Sequence, residues 1–315
     1  VTQSTADGIE TASPRPRIGA QIKTTGGFAP VPQRARDIGA EVVQIFNSNA
    51  RMWRPKPYDP EEIATLRRGL SAHDLPLFFH TIYLINLASP DKELRTKSGT
   101  ALAEALFIGA AAGAEGVVIH VGSHRGEGFS TALPWVGSAM RTAQDQAGER
   151  LASLSPAHPL PPVLLESSAG SGYIMGRNLA ELEALVEVCP QPCGLCLDTA
   201  HLFASGNPVH RPEGLEQLVS NLETRDLLPL LKLIHLNDSR TPFASGRDHH
   251  ENLGLGQLGY EALGRVIRHP AFDAIPFVLE VPGLDGHGPD AFSIETATAM
   301  RRGAPAPPVP PAPSA

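Results

Sequence analysis

Ala101-Leu102-Ala103-Glu104-Ala105-Leu106-Phe107-Ile108-Gly109-Ala110-Ala111-Ala112-Gly113-Ala114-Glu115-Gly116-Val117-Val118-Ile119-His120-Val121 is the most apolar window of the chain, and its reading decides the fold. A run this long invites comparison with a membrane span, but Glu104 and Glu115 break it. It reads instead as the end of a helix, a turn and a short buried strand. Outward from this window the same alternation recurs. Short apolar runs lie at residues 18–22, 41–46, 75–80, 116–121, 163–166, 194–198, 232–236 and 277–280. Helix-like stretches with Ala, Leu, Glu and Arg at three- and four-residue spacing separate most of them, as at 61–73, 94–112 and 179–188.

Repeated β-then-α units with no internal linker predict a (β/α)8 barrel of the TIM type, an α/β fold. An open doubly wound sheet would carry a Gly-rich phosphate loop after its first strand, and Thr24-Thr25-Gly26-Gly27 does not match one. The barrel is expected over residues 17–301. Residues 1–16 read as a flexible N-terminal extension and residues 302–315 as a Pro-rich tail that cannot build a core.

Composition narrows the functional classes. Of 315 residues, 42% are hydrophobic and 19% charged, enough for a globular core. The net charge of −7 argues against a protein held to nucleic acid or anionic lipid by bulk charge, although it leaves room for a local positive site. The first residues show no basic and apolar signal pattern, so a cytoplasmic protein without membrane attachment is expected. Cys189, Cys193 and Cys196 lie too close together to staple a domain.

The ends of the predicted strands carry the chemistry. Strands three to eight terminate in His80, His120, Glu166, Asp198, His235 and Glu280. The carboxyl ends of barrel strands form the face on which active sites are built. If the strands converge, these carboxylates would repel one another unless cations compensated them. Asp198-Thr199-Ala200-His201 adds a histidine just past strand six, and Asp248-His249-His250 supplies Asp-x-His after strand seven. Imidazole with carboxylate suits Zn²⁺, with Mn²⁺ and Fe²⁺ as alternatives, whereas Mg²⁺ and Ca²⁺ prefer oxygen alone. At three or four ligands per ion with one carboxylate shared, nine residues fill three sites.

These residues occur in stretches that resemble endonuclease IV, the metal-dependent AP endonucleases of base-excision repair. The matching segments are Ile18-Gly19-Ala20, Gln44-Ile45-Phe46, His80-Thr81-Ile82-Tyr83-Leu84-Ile85-Asn86-Leu87, Glu166-Ser167-Ser168-Ala169-Gly170, Leu197-Asp198-Thr199-Ala200-His201, His235-Leu236-Asn237-Asp238-Ser239 and Gly246-Arg247-Asp248-His249-His250, with His120, Gly254 and Glu280. The resemblance implies three ions. One is held by His80, His120 and Glu166; a second by Glu166, Asp198, His235 and Glu280; a third by His201, Asp248 and His250. Two ions bridged by Glu166 would acidify a water to give the attacking hydroxide, and the third would neutralise the phosphate and departing oxygen. It further implies that Arg51, Tyr83 and Leu84 enter the duplex at an abasic site. The partner would be double-stranded DNA with abasic sites or blocked 3′ ends, and the protein a monomer. Three divalent ions would also cancel most of the −7.

Three positions depart from the resemblance. Gln21 stands where His is usual, Ser167 where Asn is usual, and Ala200 where Cys is common. None is an expected ligand, so each bears on supporting hydrogen bonds. Cys193-Gly194-Leu195-Cys196 reads as buried core thiols, and His124 and His249 as lying outside the ligand set. His73, His158, His210, His269 and His287 read as surface or loop residues, and Arg95, Lys97, Arg125 and Arg177 are not singled out for phosphate contacts. Two rival functions fit the same barrel: a xylose-isomerase-like sugar isomerase or epimerase, and a damaged-DNA binding protein without chemistry. The first needs neither the His201, Asp248, His250 set nor the Tyr83-Leu84 wedge.

Overall fold

A computed structural model describes residues 15–53, 57–154 and 158–310. Its elements in chain order are β1 (Ile18–Gln21), α1 (Val31–Asp37), β2 (Val43–Phe46), α2 (Pro60–Ser71), β3 (Leu77–His80), α3 (Lys92–Ala112), β4 (Gly116–Ile119) and α4 (Phe129–Leu151). There follow β5 (Val163–Glu166), α5 (Leu179–Val188), β6 (Cys193–Asp198), α6 (Thr199–Ala204), α7 (Pro212–Thr224), β7 (Leu231–His235), β8 (Asp238–Ser239), β9 (His250–Glu251), α8 (Tyr260–Ile267), β10 (Phe277–Leu279) and α9 (Ala291–Arg302). Eight of the strands close a parallel barrel in the order β1-β10-β7-β6-β5-β4-β3-β2, and β8 with β9 forms a small antiparallel hairpin beside it. This is the expected (β/α)8 architecture.

Local signals place the ends of the helices. Asp59 accepts hydrogen bonds from the backbone N–H groups of Glu61 and Glu62, and Pro60 opens α2 with its φ already suited to a helix. Asp91 caps α3, which Gly113 ends at φ +77°, a left-handed position that favours glycine. The 101–121 window is therefore helix, turn and strand, as its two glutamates suggest. Strand boundaries are one or two residues tighter than the apolar runs: β4 ends at Ile119 and β10 at Leu279, so His120 and Glu280 lie just beyond their strands.

The interior follows from the two-residue period of a strand. Two positions before the polar strand ends lie Phe78, Val118, Leu164, Cys196, Leu233 and Val278. With Val42 these form a separate buried cluster inside the barrel, the floor beneath the strand-end residues. In β1 the floor position is Gly19, where a Cβ would lie 1.7 Å from the Val42 carbonyl oxygen. The larger core lies between the outer strand faces and the helices.

The amino end of the barrel is tied by charge. Arg301 in α9 grips Glu41 with both guanidinium nitrogens, at 2.6 and 3.0 Å, and also donates to the Pro16 carbonyl at 2.8 Å. The same carboxylate accepts the Ile18 N–H at 2.9 Å. Burial opposes ionisation of Glu41, yet the Arg301 and Ile18 hydrogen bonds hold its pKa below the ordinary value.

Of the expected N-terminal extension, all but Arg15 and Pro16 lies outside the described residues. Arg302 ends α9 and Gly303 caps it; residues 304–310 form no helix or strand, and 311–315 lie outside the described residues. Among the described residues no helix is long and apolar enough to cross a membrane.

Candidate metal centre

All nine expected ligands meet at the carboxyl end of the barrel. Glu166, at the tip of β5, is the hub. Its Oε2 lies 3.1 Å from Nε2 of both His80 and His120, while its Oε1 lies 3.0 Å from Nδ1 of His235. One carboxylate thus faces two donor sets, one oxygen to each. Ligand atoms of His80, His120 and Glu166 form one compact group, and those of Glu166, Asp198, His235 and Glu280 a second.

The third set is built by helix capping. Asp198 ends β6 and caps α6, accepting the His201 N–H at 2.8 Å, which fixes His201 one turn above the strand. His201 Nε2 then lies 3.1 Å from Asp248 Oδ1, and His250 Nε2 lies 3.3 Å from the same oxygen. Asp198 also reaches this set, 3.5 Å from His250 Nε2, and groups with His201 and His250. The hairpin β8–β9, which the sequence reading treats as plain loop, holds His250 in place by pairing Ser239 with it.

Neighbouring oxygens settle which imidazole nitrogen is free. His80 Nδ1 donates to the Thr81 carbonyl at 2.7 Å, and His201 Nδ1 to the Ser167 carbonyl at 2.9 Å, leaving each Nε2 to face the carboxylates. In His235 the roles reverse. Gln44 Nε2 donates to Glu280 Oε1 at 2.7 Å and to Gln21 Oε1 at 2.8 Å, so its Oε1 accepts from His235 Nε2 at 2.9 Å and leaves Nδ1 facing Glu166. Asn237 adds a second brace. Its Nδ2 donates to Asp198 Oδ2 at 2.6 Å, its Oδ1 accepts the Glu280 N–H at 2.8 Å, and its own N–H donates to Thr199 Oγ1 at 2.9 Å.

Gln21, Gln44, Asn237 and Thr199 are the members of the site that strand-end reading misses. For the glutamines the signal is available in the register. Gln21 and Gln44 are the inward polar positions of β1 and β2, so each of the eight strands aims one polar side chain into the barrel mouth. The departures are thereby accounted for in part: Gln21 serves Gln44, and Ser167 serves the site through its carbonyl and through Oγ, which accepts the Asp198 N–H at 2.9 Å. Ala200 is buried beside them.

Burial makes the electrostatics demanding. His80, Glu166, Asp198, His201 and His235 are buried, whereas the Asp248 side chain is 53% exposed at the open side. Burial opposes ionisation of Glu166, yet the charges of His120 and His235 hold its pKa well below the ordinary value. Burial likewise works against a charged His250, but Asp198 and Asp248 raise its pKa to about 9. In His201 the charges of Asp198 and Asp248 overcome burial, and in His235 Cys196 with Glu280 and Glu166 does so, raising both pKa values well above normal, while burial prevails at His120 and lowers it. Without cations the carboxylates therefore keep protons on His201, His235 and His250, and a bound metal must displace them.

The donor set fits divalent metal. Nε2 of His201 and Nε2 of His250 are buried without a hydrogen-bond partner, although both converge on one carboxylate oxygen. Orphaned buried nitrogens are costly, and a cation between them and Asp248 would satisfy both. Cys196 lies in the floor, close enough to group with Glu166 and His235, but burial pushes its thiol up to about 12. All three cysteines are free and buried, as the sequence suggests.

At the rim, Tyr83 is 56% exposed with its ring on Phe46, Arg51 is exposed, and Leu84 is half-buried against the core. Tyr83 and Glu280 share a cavity of about 310 Å³ with Gln21 and Asn49. Most of the histidines set aside stay apart from the cluster: His249 is exposed, His269 faces Glu216, and His73 and His158 meet arginines, whereas His287 lines the cavity of Tyr83 and Glu280.

Comparison with known proteins bears on the fold and the family. The family model for the xylose isomerase-like TIM barrel matches residues 32–302. A protein named probable endonuclease 4 from Nitratidesulfovibrio vulgaris (strain DP4) is 34% identical over 285 residues, covering 89% of this chain and 97% of that protein. The crystal structure of endonuclease IV from Thermus thermophilus superposes with a TM-score of 0.78 at 32% identity, covering 92% of this chain and all of that one. A 3-keto-D-glucoside 4-epimerase from E. coli, at 16% identity and a TM-score of 0.63, shares the fold alone.

Proposed function

Because the chain belongs to the xylose isomerase-like TIM-barrel family and, within it, to the endonuclease IV group, we propose that it is a DNA-repair phosphodiesterase cutting the backbone 5′ to abasic sites. The cut leaves a 3′-hydroxyl and a 5′-deoxyribose phosphate, and the same centre trims blocked 3′ ends. The observation that carries this reading is the convergence of nine ligand-type side chains at the barrel mouth, two sets sharing Glu166 and His201, Asp248 and His250 meeting beside them, with nitrogens of His80, His201 and His235 turned toward the carboxylates by neighbouring oxygens. His80, His120 and Glu166 would hold one ion, Glu166, Asp198, His235 and Glu280 another, and His201, Asp248 and His250 a third, Zn²⁺ being the best match to nitrogen-and-carboxylate donors. Bound there, such ions supply positive charge for a phosphate and its leaving oxygen, and an acidified water at neutral pH.

The protein's own part is to hold and to select. Glu166 keeps the first two sets in register, while Gln44 and Asn237 fix the ring and carboxylates of the second. Tyr83, Arg51 and Leu84 enter the gap left by a missing base. That position is selected because an unpaired step costs least to open. A sugar epimerase shares the barrel but has no use for the His201, Asp248, His250 set.

Incubating metal-loaded protein with a duplex carrying one abasic analogue tests the reading. A single incision 5′ to the analogue is expected, with intact control duplex left whole. An uncut duplex, together with one ion per chain and turnover of free sugars, would transfer the reading to the epimerases.

A further inference from the structure

Two of the four tyrosines are more than half exposed, Tyr83 at 56% and Tyr173 at 57%, and both stand on loops at the carboxyl end of the barrel. Tyr83 follows β3 and Tyr173 follows β5. The Tyr173 loop is not loose. His124 N–H donates to the Tyr173 carbonyl at 3.1 Å, Ser123 and Ile174 form an antiparallel bridge, and the Met175 N–H donates to the Gly122 carbonyl at 3.0 Å. These contacts stitch the loop after β5 to the loop after β4.

The ring itself has a fixed backing. It meets the His124 imidazole with centroids 5.3 Å apart and planes tilted by 48°. His124 Nδ1 accepts the N–H groups of Gly126 at 3.3 Å and Gly128 at 3.0 Å, so this imidazole is locked in place. Arg125 beside it is exposed and makes no ion pair among the described residues. A large aromatic face held in water on a stitched loop, next to an unpaired guanidinium, is pre-organised for a planar, phosphate-bearing partner.

Resting on the incision reading above, we propose that Tyr173, backed by His124, is a stacking platform for the unpaired nucleobase that faces the abasic position. A base without a partner is the least costly to displace, and a residue filling the gap leaves it no place in the stack. β3 and β5 are two strands apart, roughly 10 Å at barrel spacing and the length of about three nucleotide steps. One distorted duplex segment therefore reaches both tyrosines, with Arg125 meeting the adjoining phosphate.

The test uses the full-length metal-loaded protein and an abasic duplex with 2-aminopurine, whose fluorescence falls on stacking, opposite the lesion. Wild type should quench the probe on binding. Tyr173→Ala should lose the quench and raise KM about tenfold with kcat nearly unchanged, and Tyr173→Phe should restore both. An undiminished quench with Tyr173→Ala overturns the platform. Failure of wild type to incise the duplex would overturn the incision reading instead, and the quench comparison would still decide the platform.

Discussion

At the amino end of the barrel, a bidentate pair between Glu41 and Arg301 joins the start of β2 to the last helix, each charge meeting the other directly. At the carboxyl end, four carboxylates and five imidazoles crowd together, and two buried nitrogens converge on one carboxylate oxygen without a hydrogen bond to it. The floor of Phe78, Val118, Leu164 and their neighbours separates the two. The same strands thus serve opposite ends: electrostatic satisfaction stabilises one, and electrostatic dissatisfaction reserves the other for cations. Buried polar groups left unmatched by protein are costly, so their concentration at one face marks where an external group completes the structure.

The separation can be attacked from either side. Glu166→Gln removes the carboxylate shared by two donor sets. Incision should fall by about a thousandfold, the scale of several kcal/mol of lost charge stabilisation, with the barrel still folded by circular dichroism. Full activity of this variant would falsify the shared-carboxylate arrangement. Asn237→Ala leaves all nine ligands present but frees Asp198, and metal affinity in a chelator competition should weaken by about 10- to 100-fold.

Arg301→Ala probes the other end. It should cost about 1 kcal/mol, because Glu41 is partly exposed, and lower the unfolding midpoint by about 2 °C while incision per folded molecule is unchanged. The Glu41 pKa is depressed in the folded state. Its contribution is therefore present in full above the ordinary glutamate range near pH ~4.3 and is lost as pH falls through the lower folded value. Wild type and variant should converge in urea titrations at acid pH, and a gap that widened there would contradict the assignment. Smallest of all is the expected response of the buried thiols, Cys196 in the floor and Cys189 and Cys193 in the outer core: in the native protein all three should resist iodoacetamide at neutral pH, measured by mass spectrometry, and react after unfolding.

How legible each end is in the sequence follows from the same contrast. A histidine or acid at the end of an apolar run is conspicuous, and strand period alone turns it inward, so His80, Glu166, Asp198 and His235 can be read before any coordinates. Gln44 is harder because it sits within its run, and its role depends on which face β2 presents. Asn237 acts from beyond the end of β7, where no period applies. Glu41 and Arg301 are 260 positions apart, and nothing local to either predicts the other. The two-residue strands of the β8–β9 hairpin are too short to leave a pattern. Tyr173 is exposed because two loops bridge at Ser123 and Ile174, a tertiary event.

Closure by β1 against β10, which pairs Ile18 with Phe277, also sets a timetable for synthesis. Strand β7 and the residues after it bring His235, Asp248, His250 and Glu280, so each of the two donor sets beyond the first is unfinished until late in translation. At about 5–20 residues per second the early strands wait many seconds for their final neighbours. A nascent chain ending before residue 231 has one complete set, His80, His120 and Glu166, with Asp198 and His201 still lacking their companions, and fragments of that length should bind metal weakly. The segment from β7 to the residue after β10 thus acts as the latch that turns scattered donors into a complete set.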